Sequence, residues 1–138
     1  MNTKEYLQQI YIIRRKISRL RQRIDIIEAE LYTAKTTKMQ PDRVMTSHAA
    51  DDKMLTLIAK KDRLASDIRR EIQVLYAKRA KIMHEVEQVP DEQLRQLLTE
   101  RYELCHTWEQ IAVNMDLSVR YVYMLHGKAL SAFDKIRK

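Results

Sequence analysis

The sequence contains very few of the residues that interrupt helices. Glycine occurs once and proline twice in 138 residues, and these two types are the least favourable in the interior of an α-helix. The alternation of apolar and polar residues that is typical of half-buried strands is also missing. Because 45% of the residues are hydrophobic and 33% are charged, we expect an all-α protein.

Cysteine and long apolar runs are scarce as well. Cys105 stands alone, so no internal disulfide can form, and a reducing cytoplasm is the simplest expectation. No apolar run reaches about 18 residues, so we expect no membrane-spanning helix. The first residues, MNTKEYLQQ, lack the apolar core of a signal peptide, which argues against secretion.

Enzymatic sites have little support. A single glycine cannot build a glycine-rich loop around a phosphate. Cys105 and His106 alone do not make a zinc site. The four histidines are scattered without the paired spacing of metal ligands: His48, His84, His106 and His126. We therefore predict no catalytic residue, no metal site and no cofactor.

Positive charge, in contrast, is in excess. The net charge is +7 and the isoelectric point is about 9.6. This balance suits a nucleic-acid partner, although a charge of either sign also serves solubility.

Two long segments of the N-terminal half carry apolar residues at spacings that alternate between four and three, which is the spacing of a coiled-coil seam. The first seam consists of Tyr6, Ile10, Ile13, Ile17, Leu20, Ile24, Ile27, Leu31 and Ala34. The second seam has Lys61 and Arg79 at two of its positions. Its apolar members are Met54, Ile58, Ala65, Ile68, Ile72, Leu75, Ile82, Val86 and Val89.

The connection between the two seams predicts how they pair. Residues 39–52 break the apolar pattern and include Pro41, so we expect a loop there, with His48 as an ordinary loop residue. Two helices of similar length joined by a short loop favour a long antiparallel coiled-coil hairpin. We assign this hairpin to residues 1–89.

The second seam is wider than one helix partner requires. Leu57, Leu64 and Met83 extend it, which predicts packing against more than one helix. Since a lone hairpin buries little surface, we expect a homodimer through the N-terminal helices. Six basic residues lie off the first seam: Arg14, Arg15, Lys16, Arg19, Arg21 and Arg23. They form either a solvated helix face or a stripe that follows the phosphates of bound DNA.

Pro90 marks the start of a second domain, residues 90–138. It ends the preceding helix, and Asp91 and Glu92 suit the N-terminus of the next one. The buried side of this next helix is predicted to be Leu94, Leu97, Leu98, Tyr102 and Cys105.

Residues 107–130 contain two short amphipathic helices joined by a tight turn at residues 116–118. Thr107 and Gln110 form a T-x-x-Q capping box for the first helix, and Ser118 is a good N-cap for the second. Leu117 closes the turn against the core. The predicted buried faces are Ile111, Ala112 and Met115 on the first helix, and Val122, Leu125 and Ala129 on the second. This is the layout of a helix-turn-helix, whose second helix enters the DNA major groove.

Charge separates within residues 90–138. Residues 90–117 hold two basic and six acidic side chains, whereas residues 118–138 hold five basic and one acidic. An acidic first half is repelled by phosphate, so this polarity favours docking to DNA through the second helix.

The same stretch resembles region 4 of bacterial sigma factors, which reads the −35 promoter element. Upstream, Leu97, Leu98, Arg101 and Tyr102 resemble the family's L-x-L-R-Y helix, and Lys128-Ala129-Leu130 resembles its ending. RYELCHTWEQIA followed by RYVYMLHGKAL is similar to small phage and prophage proteins of Gram-positive bacteria, described as sigma-like or late-gene transcription regulators. The resemblance implies a DNA-binding module behind a helical N-terminal half.

This chain departs from the family in three places, one of which is His126-Gly127, where a small apolar residue is usual. Asp116 stands where glycine is usual, and aspartate is among the next most tolerant residues of the left-handed conformation required there. Charged and amide side chains are common on the family's reading face, and the matching positions here are Val119, Arg120, Tyr123 and Met124. The family's promoter sequence therefore does not carry over.

The predicted DNA contacts lie on the second helix. Arg120 is suited to guanine O6 and N7, the tyrosines and Met124 to thymine methyls or phosphates, and Lys128 to phosphate. Trp108, on the first helix, is expected to pack, with a protein partner as the alternative. The full predicted set is Ser118, Val119, Arg120, Tyr121, Tyr123, Met124, His126 and Lys128.

We therefore expect a phage-encoded regulator that binds double-stranded DNA and touches host RNA polymerase through the acidic half of the second domain. No second, DNA-melting sigma region is present, which argues against a complete sigma factor. Two alternatives remain open: an adaptor of phage DNA packaging similar to a small terminase subunit, or an interaction module that has lost DNA binding.

Overall fold

A computed structural model describes residues 1–38 and 48–138, and these residues form helices joined by short turns, with no strand. The helices are α1 (Thr3–Lys38), α2 (His48–Glu87), α3 (Glu92–Leu98), α4 (Trp108–Met115) and α5 (Val119–Arg137), and a π-helical segment, Thr99–Glu103, follows α3. The predicted all-α class is confirmed for this part of the chain. None of these helices is both long and apolar enough to cross a bilayer.

The start of α2 differs from the prediction. The loop was expected to reach residue 52, but α2 begins at His48, so His48 is a helical residue. Ala49 and Ala50 are strong helix formers, and Asp51 places a negative charge in the first turn, where the helix dipole favours it. Residues 39–47, including Pro41, lie outside the described residues.

The chain divides into two compact units. We call residues 16–75 the central unit, and residues 1–15 together with residues 76–138 the terminal unit. The sequence predicted a single division at Pro90, whereas the terminal unit also takes both ends of the predicted hairpin.

Burial in the central unit follows the two seams. Lys61, which interrupts the second seam, is half-buried and forms an ion pair with Glu30 of α1. The buried seam residues are Ile17, Leu20, Ile24, Ile27 and Leu31 of α1, and Ile58, Ala65, Ile68, Ile72 and Leu75 of α2. The spacing of apolar residues thus identified the buried side of each helix.

Ion pairs connect α1 to α2 within the central unit. Lys35 Nζ lies 3.4 Å from Asp62 Oδ1, and Glu28 pairs with Arg69. The later residue of α1 pairs with the earlier residue of α2, so the two helices run antiparallel here. These pairs are exposed, so each contributes little to stability.

The extra apolar residues of the second seam behave differently from one another. Met83, in the terminal unit, is buried, but Leu57 and Leu64 are 52% and 41% exposed. Among the described helices, Leu57 and Leu64 therefore are not covered by a further helix of the same chain.

The terminal unit has a core formed by α3, α4 and α5. Phe133 and Ala129 of α5 are fully buried. One cluster consists of Leu97, Ile111, Ala112, Val122 and Leu125, with Leu94, Trp108, Met115, Leu117 and Val119 packed against it. The predicted buried faces of α4 and α5 contribute to this core.

The first turns of α1 belong to the same unit. Leu7, outside the predicted seam, is fully buried. The Tyr11 hydroxyl donates to the Arg101 carbonyl, and the Tyr11 ring stacks on Tyr102 with centroids 5.6 Å apart. The Thr3 hydroxyl donates to an Asp134 carboxylate oxygen over 2.8 Å. These contacts explain why residues 1–15 are compact with the C-terminal helices.

Candidate nucleic-acid interface

The start of α4 is held by a reciprocal cap. The Gln110 backbone N–H donates to Thr107 Oγ1 over 3.2 Å, and the Thr107 backbone N–H donates to Gln110 Oε1 over 2.8 Å. Both bonds satisfy N–H groups that a helix terminus leaves without partners. The predicted capping box is confirmed.

The turn between α4 and α5 is equally well defined. Asp116 adopts the left-handed conformation, with φ 56° and ψ 48°, and its N–H bonds back to the carbonyls of Ala112 and Val113. The Tyr121 backbone N–H donates to Ser118 Oγ over 3.1 Å, so Ser118 caps α5. Aspartate tolerates this conformation better than most side chains, which explains how the turn forms without glycine.

One side of α5 is fixed in the core and the other is open. Val122, Leu125, Ala129 and Phe133 are buried. Five predicted contact residues lie on the open side, and we call them the α5 surface: Arg120, Tyr121, Tyr123, Met124 and Lys128. Ser118 is also exposed, whereas Val119 is half-buried and packs against the core cluster.

The α5 surface has a regular geometry. Arg120, Met124 and Lys128 are four residues apart, so they form one row along the helix. Tyr121 flanks this row on one side and Tyr123 on the other. A row of this kind, starting one residue into the helix, can lie along a groove.

His126 is a correction to the predicted contact set. Its side chain is only 9% exposed, and its Nε2 lies 2.8 Å from the Tyr102 hydroxyl. Burial, with the nearby Lys4 and Arg101 charges, lowers the pKa of His126 to about 4. His126 follows Val122 by four residues, a spacing that places it on the buried face.

Trp108 packs, as expected, and supports one edge of the α5 surface. Its ring meets Tyr123 edge-on at 5.2 Å and His126 at 4.7 Å. The Arg101 guanidinium lies 4.1 Å above the same ring, an arrangement that adds cation–π attraction. Tyr123 is therefore held in place although 52% of it is exposed.

The helix before α4 ends earlier than predicted. It was expected to continue to Cys105, but α3 stops at Leu98 and a π-helical segment ends at Glu103. Cys105 is half-buried with a positive φ of 58°, and Arg14 donates to its Sγ. The widened turn changes the register of the helix, which the apolar spacing could not predict.

Glu100, within the π-helical segment, is a buried acid that sequence reasoning missed. Only 7% of it is exposed. Asn114 Nδ2 donates to Glu100 Oε1 over 2.8 Å, and His106 Nδ1 lies 3.6 Å from the same oxygen. A signal was present, because Glu100 follows the buried Leu97 by three residues.

Charges at the C-terminal end differ in their availability. Arg137 stacks on Tyr6 and lies 3.8 Å from Glu85, while Lys138 lies 3.2 Å from Asp134. Within residues 1–38 and 48–138, no ion pair is found for Arg120 or Lys128. Lys135, near the end of α5, is likewise exposed with no ion pair among these residues, so Arg120 and Lys128 are the charges that the α5 surface itself offers to an external anion.

Over the same residues, no group of three or more histidine, cysteine, aspartate or glutamate side chains could hold a metal ion. Comparisons of the chain with protein-family models, with curated proteins and with solved structures find no match. Any functional conclusion therefore depends on the geometry of the chain itself.

Proposed function

We propose that this chain is a phage-encoded, sequence-specific transcription regulator that binds double-stranded DNA through α5. In this proposal α4 and α5 form a helix-turn-helix similar to sigma region 4. The observation that supports it most is the exposed row of Arg120, Met124 and Lys128 on a helix whose opposite side is buried. The row begins near the helix N-terminus, where recognition helices reach base edges.

The residues of the α5 surface take different roles. Arg120 donates to a guanine edge in the major groove, while Tyr121, Tyr123 and Met124 contact thymine methyls or phosphates. Lys128 is eight residues farther along α5, about 12 Å in a helix, and therefore meets the phosphate backbone. Only the Arg120 contact is expected to discriminate strongly between bases.

Charge distribution supports this orientation. The acidic side chains of residues 90–117 would be repelled by phosphate, whereas five of the six charges in residues 118–138 are basic. We further propose that the acidic part contacts host RNA polymerase, as the sigma resemblance implies.

The central unit supplies self-association in this proposal. Its buried seams and antiparallel ion pairs fit a coiled coil. Leu57 and Leu64 are exposed within one chain, and a second copy would cover them. A homodimer of this kind would read two half-sites on DNA.

Selection from random duplexes tests the proposal. We expect enrichment of one sequence. The logarithm of the binding constant should fall linearly with the logarithm of the salt concentration, with a slope of about −0.9 per neutralised phosphate. The selection is run with and without host RNA polymerase, because polymerase contact is part of the proposal. Enrichment of no sequence under either condition would contradict it.

A protein-interaction module is the second candidate. It is favoured by one observation: Tyr121, Tyr123 and Met124 place exposed apolar surface beside Arg120, which also suits a protein partner. Absence of salt-dependent duplex binding would favour this reading. Light scattering, which measures the mass of the assembly, distinguishes the DNA-packaging alternative from the proposed regulator. A packaging adaptor should form a ring of about eight or more subunits, whereas the regulator should form a dimer.

A further inference from the structure

A shallow pocket lies on the outer side of α4 within the terminal unit. Its volume is about 460 Å³. Val113 is the most exposed large apolar residue of the described chain at 79%, and it forms part of the wall. The lining residues are His106, Glu109, Gln110, Val113 and Asn114.

A buried carboxylate contacts this lining. Glu100 Oε1 accepts from Asn114 and lies 3.6 Å from His106 Nδ1, so two lining side chains separate the carboxylate from the pocket. Its second oxygen, Oε2, is inaccessible and has no hydrogen-bond partner within the described residues. His106 Nδ1 is likewise buried without a partner.

This arrangement leaves a negative charge poorly compensated. A buried carboxylate is costly unless it is paired with a cation and fully hydrogen-bonded. His106 Nδ1 lies beyond hydrogen-bonding distance of Glu100. The nearby Arg101 guanidinium donates to the His106 carbonyl and, among the described residues, forms no ion pair with Glu100. A cation in the pocket would lie beside Glu109, and the side chains of His106 and Asn114 would stand between it and Glu100.

We propose that the pocket binds an arginine side chain of a partner protein. The guanidinium would donate to Glu109 and to the amide oxygens of Gln110 and Asn114, because Asn114 uses its amide nitrogen for Glu100. The methylenes of the arginine would pack on Val113. Arginine fits better than lysine because its planar group offers five donors and is more weakly hydrated.

The partner is a protein and not a nucleic acid. The pocket belongs to residues 90–117, where acidic side chains outnumber basic ones six to two, so phosphate would be repelled. The inference is independent of DNA binding, because the lining residues belong to α4 and its approach, and the α5 surface belongs to another helix.

The test uses N-acetyl-arginine methylamide, followed by NMR on the ¹⁵N-labelled full chain. We expect saturable shifts at the Asn114 side-chain amide and the Val113 backbone amide. The neutral isostere N-acetyl-citrulline methylamide should bind about tenfold more weakly, because charge-assisted hydrogen bonds are lost. No saturable shift, equal binding of the two compounds, or shifts centred on Tyr121 and Tyr123 would each overturn the proposal.

Matched variants locate the site. Glu109→Gln removes an exposed charge from the lining and should weaken arginine binding, whereas Glu103→Gln, an exposed acid outside the lining, should not. Equal loss in both variants would contradict a defined pocket. Duplex DNA binding, measured on the same variants, should not weaken in Glu109→Gln, which keeps the two sites distinguishable.

Glu100→Gln examines the buried carboxylate. Glutamine keeps an oxygen for Asn114 but removes the charge, so arginine binding should fall while the thermal transition is retained. Unchanged arginine affinity in a folded Glu100→Gln chain would contradict the role of Glu100. If this variant unfolds, the Glu109→Gln comparison decides the proposal.

Discussion

The central and terminal units are built from the same kinds of residues but in different ways. In the central unit, buried residues repeat at regular spacing and polar groups pair at the surface, as Lys35 and Asp62 do. The terminal unit contains a π-helical segment, two residues with positive φ, and polar side chains inside its core. The regular seams therefore account for the central unit, whereas both candidate sites lie in the unit that also contains irregular turns and buried polar side chains.

The largest expected effect is from Val122→Asp. Val122 is fully buried, and an unpaired charge there should cost about 4 kcal/mol or more of the terminal unit's stability. Fluorescence of Trp108, the sole tryptophan, reports on this unit during urea unfolding. Val113→Asp, on the exposed side of α4, is the matched control. An unchanged Trp108 transition in Val122→Asp would refute the core assignment.

A smaller, pH-dependent effect is expected at His126. The pKa of His126 is lowered by burial to about 4, below the ordinary value of about 6.5. As the pH falls, His126 is therefore protonated in the unfolded chain before it is protonated in the folded chain. The contribution of His126 to stability is therefore fully present above pH 6.5 and declines as pH falls towards 4. Melting temperatures of the wild type and His126→Gln across this range check the prediction. Parallel pH profiles for the two proteins would contradict it.

The smallest effect is expected in the central unit. Glu28 and Arg69 are both about half exposed, so Arg69→Gln should change stability by about 1 kcal/mol or less. Urea unfolding followed by circular dichroism measures the change at low and high salt. A loss of several kcal/mol would show that surface pairs, and not the seams, stabilise this unit.

The sequence was sufficient wherever structure is local. Alternating four and three spacing identified the buried seams, Thr107 with Gln110 identified a cap, and Asp116 identified the left-handed turn. Each of these features depends on side chains within a few residues of one another, so the local amino-acid sequence is enough to predict it.

Other features depend on contacts between distant residues. Tyr11 and Tyr102 are far apart in sequence but stacked in the terminal unit, and no periodicity predicts that pairing. His126 was predicted as a DNA contact and Glu100 was not singled out, although their helical positions place both side chains inside. Position on a helix was the better guide than residue type.

In the proposed complex with DNA, α5 presents Arg120 to base edges and Lys128 to phosphate. Affinities of the wild type, Arg120→Ala and Lys128→Ala for the selected duplex and for a random duplex test it most directly. We expect Arg120→Ala to lose about 1–3 kcal/mol of binding free energy on the selected duplex and far less on the random one, whereas Lys128→Ala should weaken binding to both alike. Equal losses on both duplexes for Arg120→Ala, or no loss at all, would contradict it.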